Sequence, residues 1–205
     1  MTTRIFNESI ASNNILNNDG TANYYGKIMS CYEADEYFDS LMQNILWEKD
    51  EVFIFGKHIT TKRKVAWYGD SEYLYTYSNA TKRALAWTKD LSELKQIVEK
   101  YTGIKFNSCL LNLYHNGDEG IGWHSDDEES LGKNNTIASL SFGSERKFSF
   151  KHKQTKQIVS LVLEHGSLLI MKGDTQSNWL HSLPKSKNIA QPRINLTFRT
   201  MHESS

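Results

Sequence analysis

Arg193-Ile194-Asn195-Leu196-Thr197-Phe198-Arg199 alternates strictly between apolar and polar residues. A strand sends successive side chains to opposite faces. Ile194, Leu196 and Phe198 therefore share one face, and Arg193, Asn195, Thr197 and Arg199 share the other. The first face is core material. The second, if buried, needs anions, because two guanidiniums without partners are costly; a dicarboxylate would satisfy them through bidentate, charge-assisted hydrogen bonds. If the polar face meets water, as one face of many antiparallel sheets does, it carries no such meaning. Alternation alone leaves both readings open.

Working back from this stretch, a period of two recurs over 108–114, 136–142, 147–152, 157–163 and 167–171, and the last strand is expected over 193–200. Turn signals separate these strands: Asn116-Gly117-Asp118, Gly143-Ser144, His165-Gly166 and Lys172-Gly173-Asp174. Before Gly103 the period is helical. Ser30 and Glu33 have capping-box spacing, and Tyr37, Phe38, Leu41, Met42, Ile45 and Leu46 form one apolar stripe, which predicts a helix over 32–47. Leu91, Leu94, Val98 and Tyr101, with Gly103 as the stop, predict a second over 91–101. Helices followed by many short strands indicate an α+β domain with a sandwich or barrel at its heart. Residues 51–80, between the helices, are strand-like and dense in aromatic and basic side chains. Residues 1–28 are Asn-rich and read as an extension or covering arm, which leaves 29–205 as a single domain.

Composition narrows the class. The chain has 205 residues, enough for one domain with a real core. Lys plus Arg and Asp plus Glu number 24 each, so neither a polycation nor an acidic tail is present. No apolar run approaches the roughly 18 residues of a membrane helix, and the N-terminus lacks the apolar stretch of a secretory signal. Cys31 and Cys109 are too few for a disulfide framework or a cysteine zinc site. The expectation is a soluble, monomeric, cytoplasmic protein (nuclear in a eukaryote) without a membrane partner.

The candidate chemistry begins at His124-Ser125-Asp126. In an extended segment the imidazole and the carboxylate leave the same face, as two ligands of one ion must. His181 is a third ligand if the chain returns to the same mouth. Two histidines and a carboxylate leave facial positions open and favour non-haem Fe(II), which needs them for a co-substrate and O2. His-x-Asp alone is weak, since a loop histidine beside an acid is common. Asn112 and Tyr114, on one face of their strand, are an amide and a phenol suited to a carboxylate or keto acid.

Together these residues resemble the AlkB family of Fe(II)- and 2-oxoglutarate-dependent nucleic-acid dealkylases. The resemblance is carried, in order, by Asn112-Leu113-Tyr114, Gly122-Trp123-His124-Ser125-Asp126-Asp127 and Ile137-Ala138-Ser139-Leu140-Ser141-Phe142-Gly143. It continues through Leu163-Glu164-His165-Gly166-Ser167-Leu168-Leu169, His181-Ser182-Leu183-Pro184 and the run from Pro192 to Arg199. It covers residues 107–200, with weaker similarity back to about residue 50.

The resemblance implies a double-stranded β-helix, or jelly-roll, core with covering helices and a nucleotide-recognition lid at about 50–80. His124, Asp126 and His181 would hold iron and carry catalysis. Arg193 would pair with the distal carboxylate of 2-oxoglutarate, with Asn112, Tyr114, Asn195, Thr197 and Arg199 completing or supporting that pocket. The implied reaction is oxidative removal of an N-linked methyl group from bases of the 1-methyladenine or 3-methylcytosine type. It releases formaldehyde while 2-oxoglutarate becomes succinate and CO2, and alkylated DNA is the partner, with RNA left open.

Phe55-Gly56-Lys57 and Lys62-Arg63-Lys64 place an aromatic beside a basic cluster, similar to the hairpin of duplex-DNA members. Phe55 is then a wedge for the vacated base position, with Lys57 and Arg63 as phosphate or strand contacts. Tyr75, Thr76 and Tyr77 resemble the base-reading lid, with Trp67 as a further candidate. Asp127 would favour a cationic methylated base, and Arg146 with Lys147, Lys151, Lys153 and Lys156 would meet phosphate. Each has a plainer alternative: an aromatic cluster in the core, or a solvated charge run. Rival functions are a hydroxylase of a protein or small molecule, a non-catalytic nucleic-acid-binding module and a hydrolytic zinc site; the last leaves Arg193 and Arg199 without an anion.

Overall fold

The computed structural model describes residues 14–202 other than 55, 56, 73, 78 and 79, and only the backbone for the remainder of 52–59 and 73–82. The first half contains β1 (Thr21–Lys27), α1 (Cys31–Asn44), β2 (Glu48–Ile54), β3 (Lys57–Gly69), β4 (Leu74–Tyr77), β5 (Ala80–Arg83), β6 (Leu85–Ala86) and α2 (Lys89–Thr102). The second contains β7 (Ser108–Tyr114), β8 (Ile121–His124), β9 (Ile137–Gly143), β10 (Arg146–His152), β11 (Ile158–Leu163), β12 (Ser167–Lys172), α3 (Thr175–Asn178), β13 (Trp179–Leu183) and β14 (Arg193–Arg199).

An eight-stranded sheet runs in the order β1-β12-β9-β14-β7-β3-β2, with β6 beside β3. A four-stranded sheet, β11-β10-β13-β8, faces it, and β4 pairs β5 in a separate hairpin. The last strand of the chain is an interior one: Arg193 of β14 lies opposite Tyr114 of β7 on one side and Gly143 of β9 on the other. This two-sheet antiparallel arrangement is the expected jelly-roll.

Alternation sorts the large sheet into two interfaces. Ile194, Leu196 and Phe198 join Leu111, Leu113, Ala138, Leu140, Phe142, Leu168 and Ile170 in a core covered by Leu41 of α1 and by Leu91, Leu94 and Val98 of α2. Toward the small sheet, Tyr114, Ile137, Leu169 and Met171 meet Phe148, Phe150, Trp179 and Leu183. The polar face of β14 thus points into the molecule and not to water.

The helices start and stop where local chemistry dictates. The Ser30 hydroxyl accepts the Glu33 N–H at 3.2 Å while the Glu33 carboxylate accepts the Ser30 N–H at 2.9 Å, which satisfies two otherwise orphaned donors. Gly103 ends α2 at φ 70°, left-handed backbone that glycine adopts without a Cβ penalty. Gly143 turns β9 into β10 at φ 81°, and a Cβ there would lie 2.5 Å from the Pro192 carbonyl oxygen.

Three elements differ from the sequence expectation. Thr21–Lys27, within the stretch read as a covering arm, is the edge strand beside β12. Its composition is polar because an edge strand buries little; Ala22 is its one fully buried side chain. β8 and β13 are strands too short, or too mixed, to show a period, and both carry candidate metal ligands.

Candidate active site

His124 ends β8, and His181 lies directly across from it on β13. Their rings are 4.2 Å apart between centroids. Asp126 lies two residues beyond the end of β8, is buried, and brings its carboxylate to the two imidazoles. One ligand atom from each of His124, Asp126 and His181 lies within 4.8 Å of the other two.

Each ligand is held from behind. The His124 Nδ1–H donates to the Gly122 carbonyl at 2.9 Å, which leaves Nε2 as the lone-pair nitrogen. The backbone N–H of Asp126 donates to Gln176 Oε1 at 2.9 Å, and Arg199 Nη2 donates to its carboxylate at 3.0 Å. The His181 ring stacks on Phe148, with centroids 5.5 Å apart. Such supporting contacts fix the orientation and basicity of ligands.

The electrostatics suit a cation. Burial works to raise the Asp126 carboxyl, but Arg199, His181 and His124 outweigh it and hold the group below its ordinary value, so it is ionised. Burial pushes the His181 imidazole down to about 4, against the pull of Asp126. At neutral pH it is uncharged and presents a lone pair.

A cavity of about 740 Å³ opens between the sheets, and all three residues line it. Arg193 also lines it and is only 2% exposed. Its Nη2 donates to Ser141 Oγ at 2.9 Å and Asn195 Oδ1 at 2.8 Å. Asn195 in turn accepts from Ser139 Oγ at 2.8 Å and donates to Thr197 Oγ1 at 2.9 Å. Burial lowers Arg193 to about 10, with Tyr114 opposing and Arg146 assisting, which still leaves it charged at neutral pH. Its Nε is buried and has no hydrogen-bond partner among the described residues. A buried guanidinium with a spare donor, beside Asn112 and Tyr114, fits a carboxylate; two imidazoles and a carboxylate open to the same cavity fit Fe(II) and a chelating keto acid.

The substrate candidates are placed less uniformly. Trp67 lines the cavity and donates from Nε1 to Ser108 Oγ at 2.7 Å. Asp127 stands at the cavity wall, exposed, accepting from Ser125 Oγ at 3.0 Å with Lys153 Nζ 3.7 Å away. Arg63 does not reach out to a strand. Its guanidinium turns inward, paired with Asp50 and 5.9 Å from the Tyr114 ring centroid, because position 63 falls on the cavity face of β3.

Arg146 corrects the phosphate reading. It is 1% exposed and donates to the carbonyls of Asn116, Glu119 and Pro184, so it braces loops near the cavity and offers nothing to solvent. Position 146 is in phase with Phe148 and Phe150, and that phase points inward. Lys153 is likewise occupied, donating to Ser125 Oγ and the Gln176 carbonyl. Phe55 lies outside the described residues, as do the side chains of Lys57, Tyr75, Thr76 and Tyr77.

Sequence reasoning missed Gln176, Phe148, Ser139, Ser141 and Asp50. The two serines left a signal, small polar residues at period two within an apolar strand. Phe148 and Gln176 left none, since their partners come from other strands.

The comparisons agree with this geometry. The profile of the 2OG-Fe(II) oxygenase superfamily matches residues 21–199. The chain is 48% identical over 118 residues to alpha-ketoglutarate-dependent dioxygenase alkB homolog 3 of Bos taurus, a match covering 53% of this chain and 41% of that protein. It thus spans less than half of that relative. It is 39% identical over 192 residues to DNA oxidative demethylase ALKBH2 of Mus musculus, covering 88% of this chain and 80% of that protein. The solved structure of OsALKBH1 superposes with a TM-score of 0.62 at 15% identity, over 90% of this chain and 98% of that one, a likeness of fold. The profile across nearly the whole chain and the two relatives lead to one conclusion: the chain belongs to the 2OG-Fe(II) oxygenase superfamily, in its AlkB branch.

Proposed function

We propose that this protein oxidatively demethylates N-alkylated bases in DNA, of the 1-methyladenine or 3-methylcytosine type, and so repairs alkylation damage. The observation that carries the reading is the convergence of His124, Asp126 and His181 beside the buried guanidinium of Arg193, whose Nε has no partner among the described residues, in one cavity. The relatives named as DNA oxidative demethylases support the substrate class.

When bound, Fe(II) together with 2-oxoglutarate and O2 supplies the oxidation of the N-methyl group, with 2-oxoglutarate leaving as succinate and CO2. The chain's own residues do the rest. His124, Asp126 and His181 would hold the metal, and Arg199 keeps the Asp126 carboxylate charged and aimed. Arg193, oriented by Ser141 and Asn195, would fix the distal carboxylate of the co-substrate, while Asn112, Tyr114 and Thr197 flank it. Trp67 and Asp127 lie on the cavity wall, where an extruded base would enter; the Asp127 carboxylate favours a cationic methylated ring over a neutral one. Once the methyl carbon is hydroxylated, the C–N bond breaks with its electron pair returning to the ring nitrogen, the carbon and oxygen become the carbonyl of formaldehyde, and the hydroxyl proton passes to water, which leaves the formerly cationic ring neutral.

The test is incubation with Fe(II), 2-oxoglutarate and O2 and a panel of methylated DNA and RNA oligonucleotides. Formaldehyde and succinate are expected in equal amounts from methylated DNA, and Asp126→Ala should abolish both. Succinate formed only with a protein or small-molecule substrate would replace this reading with a hydroxylase.

A further inference from the structure

Trp123 sits on β8, one edge of the small sheet, and is 42% exposed. It directly precedes His124, whose ring turns inward, so the indole stands on the opposite face, at the rim of the cavity. Lys151 Nζ lies 5.7 Å from its ring centroid. Lys151 and Lys147 leave the outer face of β10 because Arg146, Phe148 and Phe150 occupy the inner one. Neither catalysis nor the core uses this group. An exposed indole with one ammonium group over its ring, and a second lysine on the same outer face of β10, is a composition that suits single-stranded nucleic acid: the aromatic face stacks a base of any sequence and lysines track the backbone.

Resting on the dealkylase reading above, we propose that Trp123 stacks the unpaired base adjacent to the target base, while Lys147 and Lys151 meet phosphates of the same strand. A base within a duplex is already stacked and paired, and it reaches the indole only after its pair opens. The platform therefore favours locally unpaired strands as substrate. The charge of the two lysines suits this occupant better than an apolar protein segment, which would leave both ammonium groups unpaired.

The experiment measures binding of fluorescein-labelled five-nucleotide strands, with 1-methyladenine at the centre, to the full chain loaded with Mn(II) and 2-oxoglutarate. Trp123→Ala should weaken binding about tenfold, in keeping with the loss of one base–aromatic stack, and Trp123→Phe should retain most of it. With abasic residues on both sides of the target, the wild type should be weakened to a similar degree, and Trp123→Ala should add nothing further. Lys147→Ala and Lys151→Ala should each flatten the slope of log K against log salt by about 0.7. An equal effect of Trp123→Ala on the natural and abasic-flanked strands, or no effect on either, overturns the platform while formaldehyde release by the wild type leaves the dealkylase reading standing. Binding of a peptide in preference to either strand also overturns it. Absence of formaldehyde from every methylated strand removes the underlying reading, and the platform with it.

Discussion

Arg193 shows how one residue can join fold to chemistry. Burying a guanidinium is unfavourable unless its donors are used, and Ser141 and Asn195 take one nitrogen while Nε is left for a ligand. Arg193→Gln should raise the KM for 2-oxoglutarate at least tenfold, since hydrogen bonds to a charged group contribute about 1.5–3 kcal/mol, with little change in metal affinity. Succinate formation at varied 2-oxoglutarate checks the first part and equilibrium dialysis with Mn(II) the second. Arg199 acts on the other partner. It touches Asp126 and not the cavity's centre alone, so Arg199→Gln should lower Mn(II) affinity about 10–100-fold, the usual cost of removing an orienting contact. An unchanged dialysis isotherm would separate Arg199 from the metal site.

Among the elements, α1 and β14 are the clearest. The capping box of α1 makes Ser30→Ala cost about 1 kcal/mol, readable as a lower urea midpoint. The Ser30 side chain, and after it the backbone N–H, hold the Glu33 carboxyl below its ordinary value. A depressed folded-state pKa stabilises above the unfolded value and loses that contribution as pH falls through the folded one. Glu33→Gln should therefore lower stability at neutral and alkaline pH, where the ionised group contributes, and leave the acid end unchanged, so that urea midpoints fall less steeply as pH is lowered. In β14, Phe198 is fully buried against Phe106 and the stacked Trp87, and Phe198→Ala should cost about 3–5 kcal/mol. The strand also explains what was legible beforehand. β7, β9 and β14 alternate strongly because one face meets the helices; β1, β8 and β13 do not, being an edge or very short.

The molecule as a whole is two sheets with a cavity between them that charged and apolar side chains line together, and its hydrophobic weight lies on the helix side. Such a cavity is stabilised by whatever fills it. Mn(II) and 2-oxoglutarate together, each at about 100 times its Kd, should add up to about 2.7 kcal/mol per independent ligand and raise the melting temperature, and a chelator should reverse the shift. No change in melting temperature with either ligand would separate the cavity from both. Among the described residues, no helix is long and apolar enough to cross a membrane.

Sequence by itself determined which side chains share a face: His124 with Asp126, Arg193 with Asn195, Thr197 and Arg199, Asn112 with Tyr114. It could do so because the two-residue period of a strand is a local property of the backbone. Which face looks inward is a different matter, decided only when two sheets close on each other. Pairing of strands remote in the chain brought His181 to His124 within the small sheet and Arg63 to Asp50 and Tyr114 within the large one, while the inward phase of β10 drew Arg146 away from solvent onto three backbone carbonyls. The physical reason is that a charged side chain's role depends on the partners and the dielectric around it, and both are supplied by strands remote in the chain.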